Sequence, residues 1–105
     1  MKRIVYNKLV RDQIPTIIEA RGQVPYTRIL SDEEYTVALK QKLDEEVGEF
    51  HKDNNLEELA DILEVVYALT ENLGCTREEL MEAYQKKHDE RGGFADRILL
   101  IAKEG

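Results

Sequence analysis

Apolar residues recur at helical spacing through the middle of this chain. Tyr35, Leu39, Leu43, Val47 and Phe50 step by four, four, four and three, which marks one face of a helix opened by Ser31 or Asp32. Glu33 and Glu34 fall in its first turn, where the helix dipole favours anions. Asp53-Asn54-Asn55 reads as a turn by composition. A second helix is predicted from Leu56 to Leu73, with Leu56, Leu59, Leu63, Val66 and Leu73 on one face and Glu58, Asp61, Val65, Ala68 and Asn72 on the other. Between Ile62 and Leu69 only Glu64 is charged, so this helix is expected to be covered on both sides. Gly74 stops it, and Thr76 with Glu79 forms the capping-box pattern of a last helix over Arg77–Glu90, anchored by Leu80, Met81 and Tyr84.

The ends are less regular. Arg3–Tyr6 is expected as a short edge strand, with the extended stretch Pro25–Leu30 as its candidate partner. Between them Ile14, Ile17 and Ile18 give a helical stripe, with Asp12 as N-cap, Pro15 in the first turn and Gly22 as the stop. Arg97–Ala102 is short and apolar, either a strand or a docking segment. No repeat, low-complexity tract or linker interrupts the chain, so residues 1–105 are expected to form a single domain. The fold class expected is mainly α. A helix apolar on both sides needs more cover than three short neighbours supply, and a two-fold dimer would provide it.

Charge narrows the function classes. Net charge is −7, which argues against nucleic acid as the partner. The N-terminal MKRIVYNKL has no signal-peptide core, and no apolar run reaches membrane-spanning length, so a cytoplasmic chain with no membrane partner is expected. One cysteine, Cys75, allows no intramolecular disulfide and reads as a small structural residue. His51 and His88 lack metal-ligand spacing to each other and read as surface residues.

The acids carry the chemistry. Glu46-x-x-Glu49 and Glu58-x-x-Asp61 each place two carboxylates about one turn apart on one helix face. Such pairs are common on solvated faces when they stand alone. Here two sit on consecutive helices, and Asp61 lies one turn before Val65, on a line that leads into the core. An antiparallel hairpin would bring four carboxylates together, and the cation suited to them is Mg²⁺, with Mn²⁺ as a substitute. Glu45 points away from the apolar stripe and is expected to be more solvated. Among the basic residues, Lys87 and Arg91 fit dipole compensation at a helix C-terminus as well as phosphate contact, and Lys8 and Arg11 read as surface cations. Gly92-Gly93 reads as a C-cap and turn in preference to the alternative, a phosphate-cradling loop.

Glu45-Glu46-x-x-Glu49 followed by Glu58-x-x-Asp61 resembles the EExxE…ExxD signature of the MazG-like all-α nucleoside triphosphate pyrophosphohydrolases. YNKLVRDQIP, EELADILEVVYAL and KKHDERGGF are similar to a branch of small proteins labelled phosphoribosyl-ATP pyrophosphohydrolase-like, and the likeness covers nearly the whole chain. The resemblance implies a helical bundle with short extended segments near both termini, completed by assembly into a homodimer or larger oligomer. It implies Mg²⁺ held by Glu46, Glu49, Glu58 and Asp61, with Glu45 orienting water or supporting a ligand. Any one of the acids Glu45, Glu46 and Glu49 could position the attacking water. Lys8, Arg11, Lys87 and Arg91 match branch motifs and are the candidate substrate contacts. The reaction implied is hydrolysis between the α- and β-phosphates of a nucleotide, giving a monophosphate and pyrophosphate.

A shared acidic signature reports metal chemistry rather than base recognition. The KLVRD segment and RGGF end set this chain apart from the histidine-pathway enzymes, so house-cleaning of standard or modified nucleoside triphosphates is the expected role. Phosphoribosyl-ATP hydrolysis is the alternative. A further alternative is a non-catalytic helical module that regulates or scaffolds a partner; all four acids being present favours the enzyme.

Overall fold

Hydrogen-bonding side chains at the helix starts set the boundaries of this molecule. The computed structural model describes residues 2–105, which form four helices: α1 (Ile14–Ala20), α2 (Asp32–Asp53), α3 (Leu56–Asn72) and α4 (Arg77–Arg91). Ser31 caps α2 with a reciprocal box in which its hydroxyl accepts from the Glu34 N–H while Glu34 accepts from the Ser31 N–H. Thr76 and Glu79 do the same for α4, as their spacing predicts. Asn55 caps α3 by accepting from the Glu58 N–H at 3.0 Å. Each cap satisfies backbone donors that the helix itself cannot.

The helix ends are equally local. α1 and α3 close in the same six-residue pattern: Gly22 and Gly74 take φ of +76° and +82°, and the residues after them, Gln23 and Cys75, donate to Ile18 and Thr70 carbonyls. Glycine adopts that left-handed turn without a Cβ penalty. α2 instead ends on Asn54 in the left-handed region, directly before the α3 cap, so two asparagines turn the chain between the two long helices. Asn72 near the end of α3 donates to Thr36 near the start of α2 at 3.0 Å, which establishes the hairpin as antiparallel.

The α2–α3 hairpin is the centre of the fold. Leu39 of α2 and Val65 of α3, 2% and 7% exposed, are the fully buried apolar residues of its seam. Thr70 is buried beside them and satisfies its hydroxyl on the Val66 carbonyl. α4 lies against α3 alone, and its residues beyond Leu80 are exposed. The all-helical class agrees with the sequence reading. No helix among the described residues is long and apolar enough to cross a membrane.

Two expectations change. Arg3–Tyr6, Pro25–Leu30 and Arg97–Ala102 form no strand among the described residues; the extended segments near both ends are irregular chain. The first two do approach, through the Arg3 guanidinium 4.6 Å over the Tyr26 ring, a cation–π contact in place of a ladder. Gln13 and not Asp12 occupies the N-cap of α1, without a side-chain cap; Pro15 needs no N–H partner there. Within one chain α3 is covered on one side, which leaves the other for the partner expected from its sequence. Its acid-bearing face meets α2, and the face with Leu56, Leu59, Leu63 and Leu73 is exposed.

Arg28 grips Glu34 with two parallel hydrogen bonds of 3.0 and 2.7 Å. That grip, with the Ser31 cap, holds the Glu34 carboxyl at about 2, well below its ordinary 4.5. A depressed carboxylate pKa stabilises the fold above the ordinary value and loses that effect as pH falls through the depressed one. Thermal melts of the parent and of Glu34→Gln should therefore differ most at neutral pH and converge between pH 4.5 and about 2. A gap that stays constant over that window would exclude this linkage.

Candidate metal-binding carboxylate site

The antiparallel hairpin brings the C-terminal half of α2 alongside the first turns of α3. Glu45, Glu46 and Glu49 come from α2, and Glu58 and Asp61 from α3. Glu46, Glu58 and Asp61 each present an oxygen, all within 4.8 Å of one another. Glu49, Asp53 and Glu58 make a second group by the same measure, so Glu58 is shared. The four acids singled out by the sequence thus meet around one end of the hairpin.

Glu58 shows the strain of this arrangement. It lies in the first turn of α3, where the helix dipole favours an anion. Its pKa is nonetheless raised, first by loss of surrounding water and then by repulsion from Asp61, Asp53, Glu49 and Glu46. Desolvation and like charge win over the dipole here.

Cations from elsewhere in the chain offset part of the repulsion. Arg11 donates to Asp61 at 2.6 Å across fifty positions of sequence, and Lys8 to Glu45 at 3.2 Å. Lys42 reaches forward within α2 to Glu45 at 3.5 Å and Glu46 at 3.3 Å. The side chain of Glu46 is 13% exposed and that of Glu45 31%, in the order the helical phase predicts. An open groove of about 230 Å³ runs from these acids along the seam, walled by Arg11, Glu46 and Asp61 at one end and Tyr67, Glu71 and Arg77 at the other.

Of the candidate substrate contacts, Lys8 and Arg11 are therefore at the acids. Lys87 and Arg91 are not: they lie on the exposed part of α4, and no ion pair among the described residues joins them to the cluster. Arg91 in the last turn and Gly92 as C-cap at φ +78° match the helix-ending roles read from sequence. Two residues of the cluster were missed. Asp53 read as a turn residue, yet it closes α2 four positions after Glu49. Lys42 stands three and four positions before Glu45 and Glu46, a spacing that signals helical ion pairing.

The donor set fits a hard divalent cation. All donors are carboxylate oxygens, with no sulfur or imidazole in either group. Opposite ligands of one Mg²⁺ stand about 4.2 Å apart and adjacent ones about 3 Å, a spread these oxygens can match with small side-chain rotations. Glu46, Glu58 and Asp61 are the residues that would hold the ion, with Glu49 and Asp53 around the shared Glu58.

Because Glu58 is destabilised by its neighbours, Glu58→Gln should raise the melting midpoint in metal-free buffer and remove the response to Mg²⁺. The parent protein should instead gain stability as Mg²⁺ is titrated at constant ionic strength. Equal Mg²⁺ responses in the two proteins would show that Glu58 is not a ligand.

No family model matches the chain, and no solved structure matches it. It is similar to an uncharacterized protein of Mycolicibacterium smegmatis, with 60% identity over 42 residues, which make up 40% of this chain and 43% of that protein. The matched stretch spans less than half of either chain, and the relative's description names no activity.

Proposed function

We propose that this protein is a Mg²⁺-dependent nucleotide pyrophosphohydrolase of the MazG-like kind, acting between the α- and β-phosphates of nucleoside triphosphates in a cytoplasmic house-cleaning role. The observation that carries the reading is the meeting of Glu46, Glu58 and Asp61 within 4.8 Å, with Arg11 already seated on one of them. Self-association into the bundle of that family belongs to the same reading and is supported by the uncovered leucine face of α3.

The division of labour follows from position. Mg²⁺, when bound, neutralises phosphate oxygens and eases the departure of pyrophosphate. Arg11 and Lys8 sit on flexible stems at the mouth of the cluster, half-exposed, and can exchange a carboxylate for a phosphate oxygen without leaving it. Glu45 stands outside both carboxylate groups and keeps its oxygens on Lys8 and Lys42, which suits it to orient water rather than to ligate. The groove beyond the acids, with Tyr67 stacked under Arg77 at 4.1 Å, offers an aromatic surface to a base. Lys87 and Arg91 could meet the nucleotide only if a second copy brought them there.

Pyrophosphate release with Mg²⁺, measured over ribo-, deoxy- and modified triphosphates and phosphoribosyl-ATP, tests the reading. Turnover concentrated on a few triphosphates is expected, with Mn²⁺ as a substitute metal. Asp61→Asn should lower it by roughly 100-fold or more while preserving the helical circular dichroism spectrum. Turnover of phosphoribosyl-ATP alone would move the assignment to that substrate. Silence across the panel from a folded protein would sink the enzymatic reading.

A further inference from the structure

The groove that leaves the acids has walls that phosphate chemistry does not use. Asp61, Glu64, Ala68 and Glu71 step by three, four and three along one stripe of α3, Tyr67 lies beside that stripe, and all of them line the groove. Arg77, the first residue of α4, closes the far end with its guanidinium 4.1 Å from the centre of the Tyr67 ring. A planar cation on an aromatic face leaves an outer flat surface on which a base can stack. Glu71 makes no ion pair among the described residues, although Arg77 lines the same groove. Its carboxylate is left to accept from whatever the groove holds.

The spacing fits a nucleotide. At about 1.5 Å of rise per residue, Tyr67 stands about 9 Å and Glu71 about 15 Å beyond Asp61 along the helix axis. Side chains lean back toward the helix start, so both reach nearer to the acids than their backbones do. A nucleotide runs roughly 10 Å from its α-phosphorus to the far edge of its base, counted in bonds of about 1.5 Å. With the α-phosphate at the acids, the sugar falls level with Glu64, the base ring at Tyr67 and Arg77, and the edge of the base at Glu71.

A carboxylate only accepts, and it does so through two oxygens side by side. Among the common bases guanine alone offers two adjacent donors on one edge, its N1–H and its 2-amino group. Adenine and cytosine present one amino group next to a ring nitrogen lone pair. Uracil and thymine present one N–H between two carbonyl oxygens. Each of these sets an acceptor against the carboxylate, which selects against them as guanine is selected for. We propose that Glu71 reads the base in this groove, with Arg77 on Tyr67 as its stacking platform, and that the protein selects guanine nucleotides. The proposal rests on the nucleotide reading given above and adds the base to it.

Calorimetric titration with Mg²⁺ and the α,β-methylene triphosphates of guanosine, inosine, adenosine and uridine tests it, because the proposed cleavage cannot break these analogues. Inosine differs from guanosine only in lacking the 2-amino group. The guanosine analogue should bind about 10-fold or more tightly than each of the others, inosine included. Glu71→Gln keeps the shape of the side chain but turns one acceptor oxygen into a donor, and it should bring guanosine down to the level of inosine. Equal binding of guanosine and inosine, or a ratio untouched by Glu71→Gln, would overturn the base reading. Base-blind binding together with pyrophosphate release from true triphosphates would overturn it while leaving the hydrolase. Guanosine-selective binding without release would leave the base site and sink the hydrolase.

Discussion

The packing of α2 on α3 is the constraint from which the other features follow. Leu39 and Val65 close the seam, Asn54 and Asn55 turn the chain at one end, and Asn72 ties to Thr36 at the other. Once the two helices are antiparallel in this register, acids separated by up to fifteen positions have to share one end of the hairpin. The apolar contacts that stabilise the seam therefore also enforce the repulsion felt by Glu58. Ion pairs with Arg11, Lys8 and Lys42 are half-exposed or of short reach, and pairs of that sort contribute about 0–1 kcal/mol each. They soften the repulsion without removing it. What holds the acids together is hydrophobic contact one to two turns further along the same helices.

That division explains how much could be read from the sequence. The long helices, their caps and the asparagine turn depend on neighbours within four positions, and local chemistry specifies them. The convergence of Glu46, Glu49, Glu58 and Asp61 needed one further step, that a two-residue turn makes neighbouring helices antiparallel. The strands were misread because Arg3–Tyr6 and Pro25–Leu30 are short apolar runs, and a ladder depends on a partner that such runs do not specify. Lys87 and Arg91 were grouped with Lys8 and Arg11 by motif. How α4 packs on α3 is set by tertiary contacts, and it leaves both residues exposed, with no ion pair to the acids among the described residues. Which face of α3 meets α2 was likewise hidden, since both faces are apolar along the C-terminal half of the helix.

Charge accounting at the hairpin end connects the metal and phosphate parts of the proposed chemistry. Six carboxylates, those of Glu45, Glu46, Glu49, Asp53, Glu58 and Asp61, stand against the three cations Lys8, Arg11 and Lys42. A divalent cation bound there would reduce the imbalance and would compete with Arg11 for the oxygens of Asp61. An arginine displaced from its carboxylate is a charged, half-exposed donor beside the groove, and a phosphate group is the partner whose geometry it matches best. In the proposed site, metal entry and phosphate recognition are thus two sides of one exchange of partners. In that reading, the acids that would repel a bare nucleotide anion would become its binding surface only with the ion present. An acidic chain of net charge −7 can in this way serve a polyanionic substrate without a basic patch.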